Sequence, residues 1–362
     1  MTYPEDNAKP KARGRLLAEF LSGCWRTVPA PLDLSASELA LLNPLLQGSG
    51  ASGLGWWRLR DSPFVHSETA MELKQAYRRQ ALDAARRELD IQQVFSLLRN
   101  EGIEPLLVKG WAVARLYPSK GLRPIGGDMD LIIQPKHLAS MKTFLQQPDN
   151  RKYCLDLTHE EIFDWSEADF EDAFIHAQSV RLGETEVRVM GWEDHLRYLC
   201  QHLLRHGVWR PLWLCDVAVM LENRPSPIDW QRCLGKNRHI ADWVLGVMRL
   251  AYELLGADVS DSPAENQKLP HWFLSTVLTH WCQPTTAEHR PPELIAVTLR
   301  HPRRLPQALR ARWPDAISAS FRMRAPFNEW PRLPFQLANY AQTFARFFGR
   351  EVASLSAKTP GD

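Results

Sequence analysis

The fold turns on one stretch, "LLVKGWAVARLYPSKGLRPIGGDMDLII", residues 106–133. It sets two carboxylates, Asp128 and Asp130, at the mouth of an apolar run, Leu131-Ile132-Ile133. Residues i and i+2 of a strand share a face, roughly 6–7 Å apart along the chain. The two anions therefore repel, and the apolar run behind them raises the cost of desolvating them. A divalent cation removes both penalties, because Mg²⁺ takes one or two carboxylates and keeps positions for substrate phosphates. A solvated strand start, where paired acids cost little, is the alternative the residues alone leave open. Gly126 and Gly127 permit close approach of a ligand. Lys109-Gly110, upstream, opens a helix at the same sheet edge, and helix N-termini favour phosphate.

Working outward, "PLLVK" (105–109) is short and apolar, as a buried strand should be. Residues 110–117 read as a short helix, 118–127 as turn-rich chain, and 128–133 as a second strand. A helix over 135–146 carries Pro in its first turn. "YCLDL" (153–157) is a third strand, and "SVRLG" and "TEVRVM" form a hairpin across Gly183-Glu184. Upstream, residues 68–100 repeat Leu73, Tyr77, Ala81, Leu82, Ala85, Leu89, Val94, Phe95 and Leu98 at helical spacing. Residues 1–13 read as a loose tail and 15–47 as helical, with a capping box from Ser35 to Glu38. "QGSGASGLG" (47–55) is the strongest loop signal of the first hundred residues. Beyond Gly191 the pattern is helical, over 192–207, 210–223, 240–256 and 272–282. The arginine-rich residues 290–350 keep enough apolar positions to fold. Strands interleaved with helices in the middle predict an α+β protein with a small mixed sheet. Three segments follow: an N-terminal helical segment (1–70), a core (71–190) and a C-terminal helical region (191–362).

Composition narrows the class. A 44% apolar fraction over 362 residues supports a real core, and a net charge of +2 argues against a general polyanion binder. The six cysteines are scattered without a Cys-x-x-Cys pair, which points to buried or partly buried thiols in a reducing compartment. Neither a secretory signal nor a membrane span is legible, so a soluble, cytoplasmic protein is expected.

Two Asp-x-Asp chemistries must be separated. In haloacid-dehalogenase-type phosphatases the acids end an apolar strand, and Thr or Val follows shortly. Here they begin one, and Ile132 stands in that place. An acid-x-acid pair opening the strand after a Gly-containing turn instead resembles the DNA polymerase β superfamily of nucleotidyltransferases. Lys109-Gly110, Leu116-Tyr117, Arg123-Pro124 and Gly127-Asp128-Met129-Asp130-Leu131, in that order, are similar to the bacterial uncharacterised nucleotidyltransferase family. So are Asp156 with His159, "LCQHLLRH" (199–206) and "WLCD" (213–216). The resemblance covers residues 70–225, and the remainder more faintly.

The resemblance implies a polymerase-β-like core that transfers a nucleotidyl group from an NTP to a hydroxyl of a small molecule, peptide or protein. Asp128 and Asp130 would hold Mg²⁺ or Mn²⁺. Asp156 is the expected third carboxylate, which lowers the acceptor hydroxyl's pKa, with Glu160 and Asp164 as substitutes. Lys109 and Gly110 occupy the place of the superfamily's Gly-Ser turn, a departure from its pattern. Lys109 and Arg123 are the expected phosphate contacts, and Gly127 leaves the ligand room. His202 and His206 lie four apart on one helix face, a spacing that chelates zinc. No third ligand other than His159 is in view, so the favoured reading packs His202 in a substrate cleft with Asp216 as its partner. The C-terminal arginines leave a nucleic-acid acceptor open but not favoured, since arginines on amphipathic helices usually cover solvated faces. The alternative function is a catalytically inactive adaptor in a biosynthetic or defence gene cluster, which the altered Lys109-Gly110 turn favours.

Overall fold

The two apolar runs bracketing the turn-rich stretch become neighbouring strands. β1 (Leu106–Leu107) and β2 (Met129–Ile132) pair antiparallel, with Leu106 opposite Ile132 and Leu107 opposite Leu131. This computed structural model describes residues 10–31, 33–157, 165–225, 227–283 and 313–356. β3 (Leu155–Leu157) adds parallel to β2, β5 (Thr185–Val189) parallel to β1, and β4 (Gln178–Leu182) antiparallel to β5. The five-stranded mixed sheet runs in the order β3-β2-β1-β5-β4. Gly183 adopts φ 58° in the two-residue link between β4 and β5, a conformation such turns use. Because β1 and β2 are antiparallel, the end of β1 lies beside the start of β2. The Lys109-Gly110 turn and the acids therefore share one end of the sheet.

The helices, in chain order, begin with α1 (Pro10–Leu21), α2 (Ala36–Ser49), α3 (Ser52–Leu59) and α4 (Glu68–Asn100). Next come α5 (Gly110–Ala114), α6 (Leu138–Gln146), α7 (Glu167–Ile175), α8 (Trp192–Arg205) and α9 (Pro211–Glu222). The rest are α10 (Trp230–Leu234), α11 (Arg238–Leu255), α12 (His271–Trp281), α13 (Ala316–Arg322) and α14 (Leu333–Ser356). Among the described residues, no helix is long and apolar enough to cross a membrane.

Strand period two sorts the sheet's faces. Leu107, Met129, Leu131, Val187 and Val189 meet Ile91, Val94, Phe95 and Leu98 of α4 and Met141 and Phe144 of α6. On the other face, Leu106, Val108 and Ile132 meet Phe174 of α7 and Tyr198 of α8. The third and largest core joins α1–α3 to α8, α9, α11 and α12. The first and last segments of the chain thus share one interior. α8 stands between that interior and the sheet and is buried along nearly its whole length.

Several expectations need correction. "QGSGASGLG" is not a loop: α2 ends at Gly50, in a left-handed cap with φ 79°, and α3 begins at Ser52. Gly53 serves packing, since a Cβ there would sit 2.1 Å from the Gly121 carbonyl oxygen. Leu82 and Leu89 of α4 are 72% and 61% exposed, because α3 covers the helix's first half and the sheet its second, so no single stripe is buried throughout. The strand over 105–109 stops at Leu107, and the helix over 135–146 opens as a 3-10 turn. Helix α1 begins at Pro10, inside the expected tail, whose residues 1–9 lie outside the described residues. Five cysteines are buried, but Cys154 is exposed, at φ 48° on the turn into β3. Residues 284–312, with much of the arginine-rich stretch, lie outside the described residues.

Candidate active site

Asp130 is the second residue of β2, and its register partner on β3 is Asp156. Neighbouring strands lie about 4.8 Å apart, and register partners point to the same face. Leu155 and Leu157, on either side of Asp156, pack into the cluster under α4. Asp156 therefore shares the opposite face with Asp130. Asp128 comes one residue before β2 and lines a small depression with Asp130, Gly110 and Trp111. Asp128 and Asp156 are exposed and Asp130 is half-buried. Gly127 adopts φ 99°, and a Cβ there would meet nothing within 4 Å.

These donors fit Mg²⁺ in kind. Among the described residues no three His, Cys, Asp or Glu side chains form a ready metal cage. Mg²⁺ commonly uses one or two carboxylates and completes its shell with water and substrate phosphate, so an open acidic edge suits it.

Lys109 holds the turn between β1 and α5. Its backbone adopts φ 51° and ψ −149°, a conformation that costs a non-glycine residue about 1–3 kcal/mol. Its N–H donates to His195 Nε2 at 3.1 Å, and its Nζ forms an ion pair with Asp130 Oδ1 at 2.6 Å. The ammonium also lies 5.6 Å from the centre of the Tyr198 ring. Burial, helped by the charges of Arg115 and Arg123, drives the His195 pKa down to about 3. The imidazole is thus neutral, accepts at Nε2 and carries its proton on Nδ1.

Arg123 and Asp216 come together, but away from the roles the sequence suggested. Arg123 Nη2 is 2.9 Å from Asp216 Oδ2, and its Nε is 3.2 Å from both carboxylate oxygens. Tyr117 donates its hydroxyl to Asp216 Oδ1 at 2.9 Å. Burial lowers the Arg123 pKa, but the Asp216 charge and hydrogen bonds outweigh it and raise the value. Burial and Asp216 together push the Tyr117 hydroxyl well up. This buried triad ties the turn-rich segment to α9. The expected phosphate ligand is thereby bonded within the protein, and the expected partner of His202 instead holds Arg123 and Tyr117.

His202 and His206 pack with rings 4.6 Å apart, and both lie edge-on to Trp213, at 4.7 and 5.2 Å. His159, Glu160 and Asp164 lie outside the described residues.

Sequence reasoning missed Arg87 and Tyr198, and noted His195 only as the histidine seven residues before His202. Arg87 reaches from α4 to donate to the carbonyls of Gly127 and, at 3.2 Å, Tyr153. It clamps the approaches to both acid-bearing strands. His195 and Tyr198 showed only as one face of α8, three residues apart and in line with His202. Arg87 gave no signal, since its targets are backbone atoms far along the chain.

A family model described as an uncharacterised nucleotidyltransferase matches residues 40–256, more than half of the chain. No curated protein and no solved structure matches the chain. The matched segment runs from α2 to the end of α11, so it takes in the sheet and most of the helical interior that backs it.

Proposed function

The chain belongs to the uncharacterised nucleotidyltransferase family, and we propose that it moves a nucleotidyl group from an NTP to a hydroxyl of a small molecule, peptide or protein. The observation that carries this reading is the register of Asp156 with Asp130, which sets two carboxylates side by side on one face of the sheet, with Asp128 at the strand's mouth. Asp128 and Asp130 would hold Mg²⁺ or Mn²⁺, which supplies charge neutralisation of the triphosphate and polarises the α-phosphate. Asp156 accepts the acceptor hydroxyl's proton as that oxygen bonds to the α-phosphorus. The bond from the α-phosphorus to the bridging oxygen breaks, and pyrophosphate leaves. Lys109 offers the phosphates a cation, and the first-turn N–H groups of α5, which lack intrahelical partners, lie beside it. Gly110 and Gly127 leave the phosphates room. Arg123 acts indirectly, holding the segment that leads to Gly127 through Asp216. His202 and His206, two and three turns along α8 from His195, wall the substrate cleft with Trp213.

One observation favours the adaptor reading: Asp130 already has a cation in Lys109. Incubation with each α-labelled NTP and Mg²⁺ decides between the two. Transfer of label to a co-purified or supplied acceptor, lost in Asp128→Asn/Asp130→Asn, supports catalysis. NTP binding and label transfer that are both indifferent to the acids would refute it.

A further inference from the structure

We propose that Lys109 is the resident counter-cation of Asp130, and that it passes to the triphosphate when the metal arrives, so that metal and nucleotide load together. The inference rests on the nucleotidyl-transfer reading above and assigns one residue a coupling role within it.

The ion pair is short, 2.6 Å, and its partners are only 11% and 16% exposed, so solvent screens it weakly. A divalent cation approaching Asp130 meets an ammonium already on Oδ1, and the two cations repel. A triphosphate bound over the surface that Gly110, Asp128 and Asp130 share would offer that ammonium a second anionic partner. Lysine suits the exchange because its charge ends a flexible four-carbon stem. The backbone from which it swings is fixed: the Lys109 N–H is held by His195, which is 2% exposed. The turn's left-handed conformation would suit glycine without strain. What lysine adds at this position, against that strain, is the ammonium on Asp130.

The test uses the full chain and Mn²⁺ as a spin probe, titrated with and without an α,β-methylene NTP analogue. The wild type should bind Mn²⁺ weakly alone and at least about tenfold more tightly with the analogue. Lys109→Met and Lys109→Gln should bind Mn²⁺ alone about tenfold more tightly than wild type, and should gain little further from the analogue. Unchanged metal-only affinity in a folded variant would overturn the proposal. So would a wild type whose Mn²⁺ affinity ignores the analogue, an outcome that needs no variant. If Asp128→Asn/Asp130→Asn binds Mn²⁺ and analogue as wild type does, nucleotidyl transfer itself is refuted. If that variant loses both while Lys109→Met leaves metal-only affinity unchanged, only the role of Lys109 is refuted.

Discussion

Replacing Asp216 with Ala should destabilise the protein by about 4 kcal/mol. The carboxylate is 1% exposed and accepts from both Arg123, itself 10% exposed, and the Tyr117 hydroxyl. Removing one partner of a buried ion pair leaves an uncompensated charge, at a cost of about 3–5 kcal/mol. The stranded Tyr117 hydroxyl adds to this, but not in full, because the two bonds share one acceptor. At about 2 °C per kcal/mol, a slope suited to a large chain, the melting midpoint should fall by about 8 °C. Thermal and urea melts followed by circular dichroism measure it. The double variant Arg123→Met/Asp216→Leu should recover most of the loss, since replacing both charges with apolar groups removes the stranded cation. A loss below about 1 kcal/mol for Asp216→Ala, or a double variant as weak as the single, would refute the buried-triad account. So would an Arg123→Met protein of wild-type stability with weakened nucleotide binding, because Arg123 would then be a phosphate ligand.

Further predictions concern pH and packing. His195 is held neutral with a pKa of about 3, below its ordinary value, so the stability it contributes is present above about pH 6.5 and is lost as pH falls from there toward 3. His195→Gln should flatten that acid limb by about one proton in urea melts across pH; an unchanged limb would be the contrary result. His280 has the opposite sign. Burial opposes its charge, but the hydrogen bond and charge of Asp315, 3.1 Å away, together with the Gly207 carbonyl, raise its pKa. Its contribution is therefore present below about pH 6.5 and is lost as pH rises through the elevated folded value, and His280→Gln should remove that alkaline loss. Gly53→Ala should cost about 1–3 kcal/mol despite alanine's better helix propensity, because its Cβ would collide with the Gly121 carbonyl; a stabilised variant in thermal melts would contradict the close packing of α3 on the turn-rich segment.

Much of the fold was legible because its signals are periodic. The helix over 68–100 and the hairpin at Gly183 follow from spacing and turn chemistry, and the acids' strand follows from the apolar run behind them. Asp156 was legible as a carboxylate on the next strand, though only the pairing register sets it opposite Asp130. What the sequence hid is long-range. The glycines of 47–55 read as loop because local propensity does not record that two helices must approach closely there. Arg123 read as a phosphate ligand because its partner, Asp216, lies 93 residues on, in a helix otherwise wholly apolar in its middle. Lys109 was legible as a cation near phosphate, but not as the partner of Asp130. That pairing depends on the antiparallel return of β2 and on a turn pinned by α8.

The central claim is that Asp128, Asp130 and Asp156 form one metal-nucleotide site, in which the first two bind and the third serves the chemistry. Pyrophosphate release from the cognate NTP, measured beside analogue binding for each single Asp→Asn variant, tests it most directly. Asp156→Asn should retain Mg²⁺-dependent binding of the analogue while pyrophosphate release falls at least about a hundredfold, the scale of a positioned general base. Asp128→Asn and Asp130→Asn should lose both. An Asp156→Asn protein that releases pyrophosphate at the wild-type rate would contradict the claim.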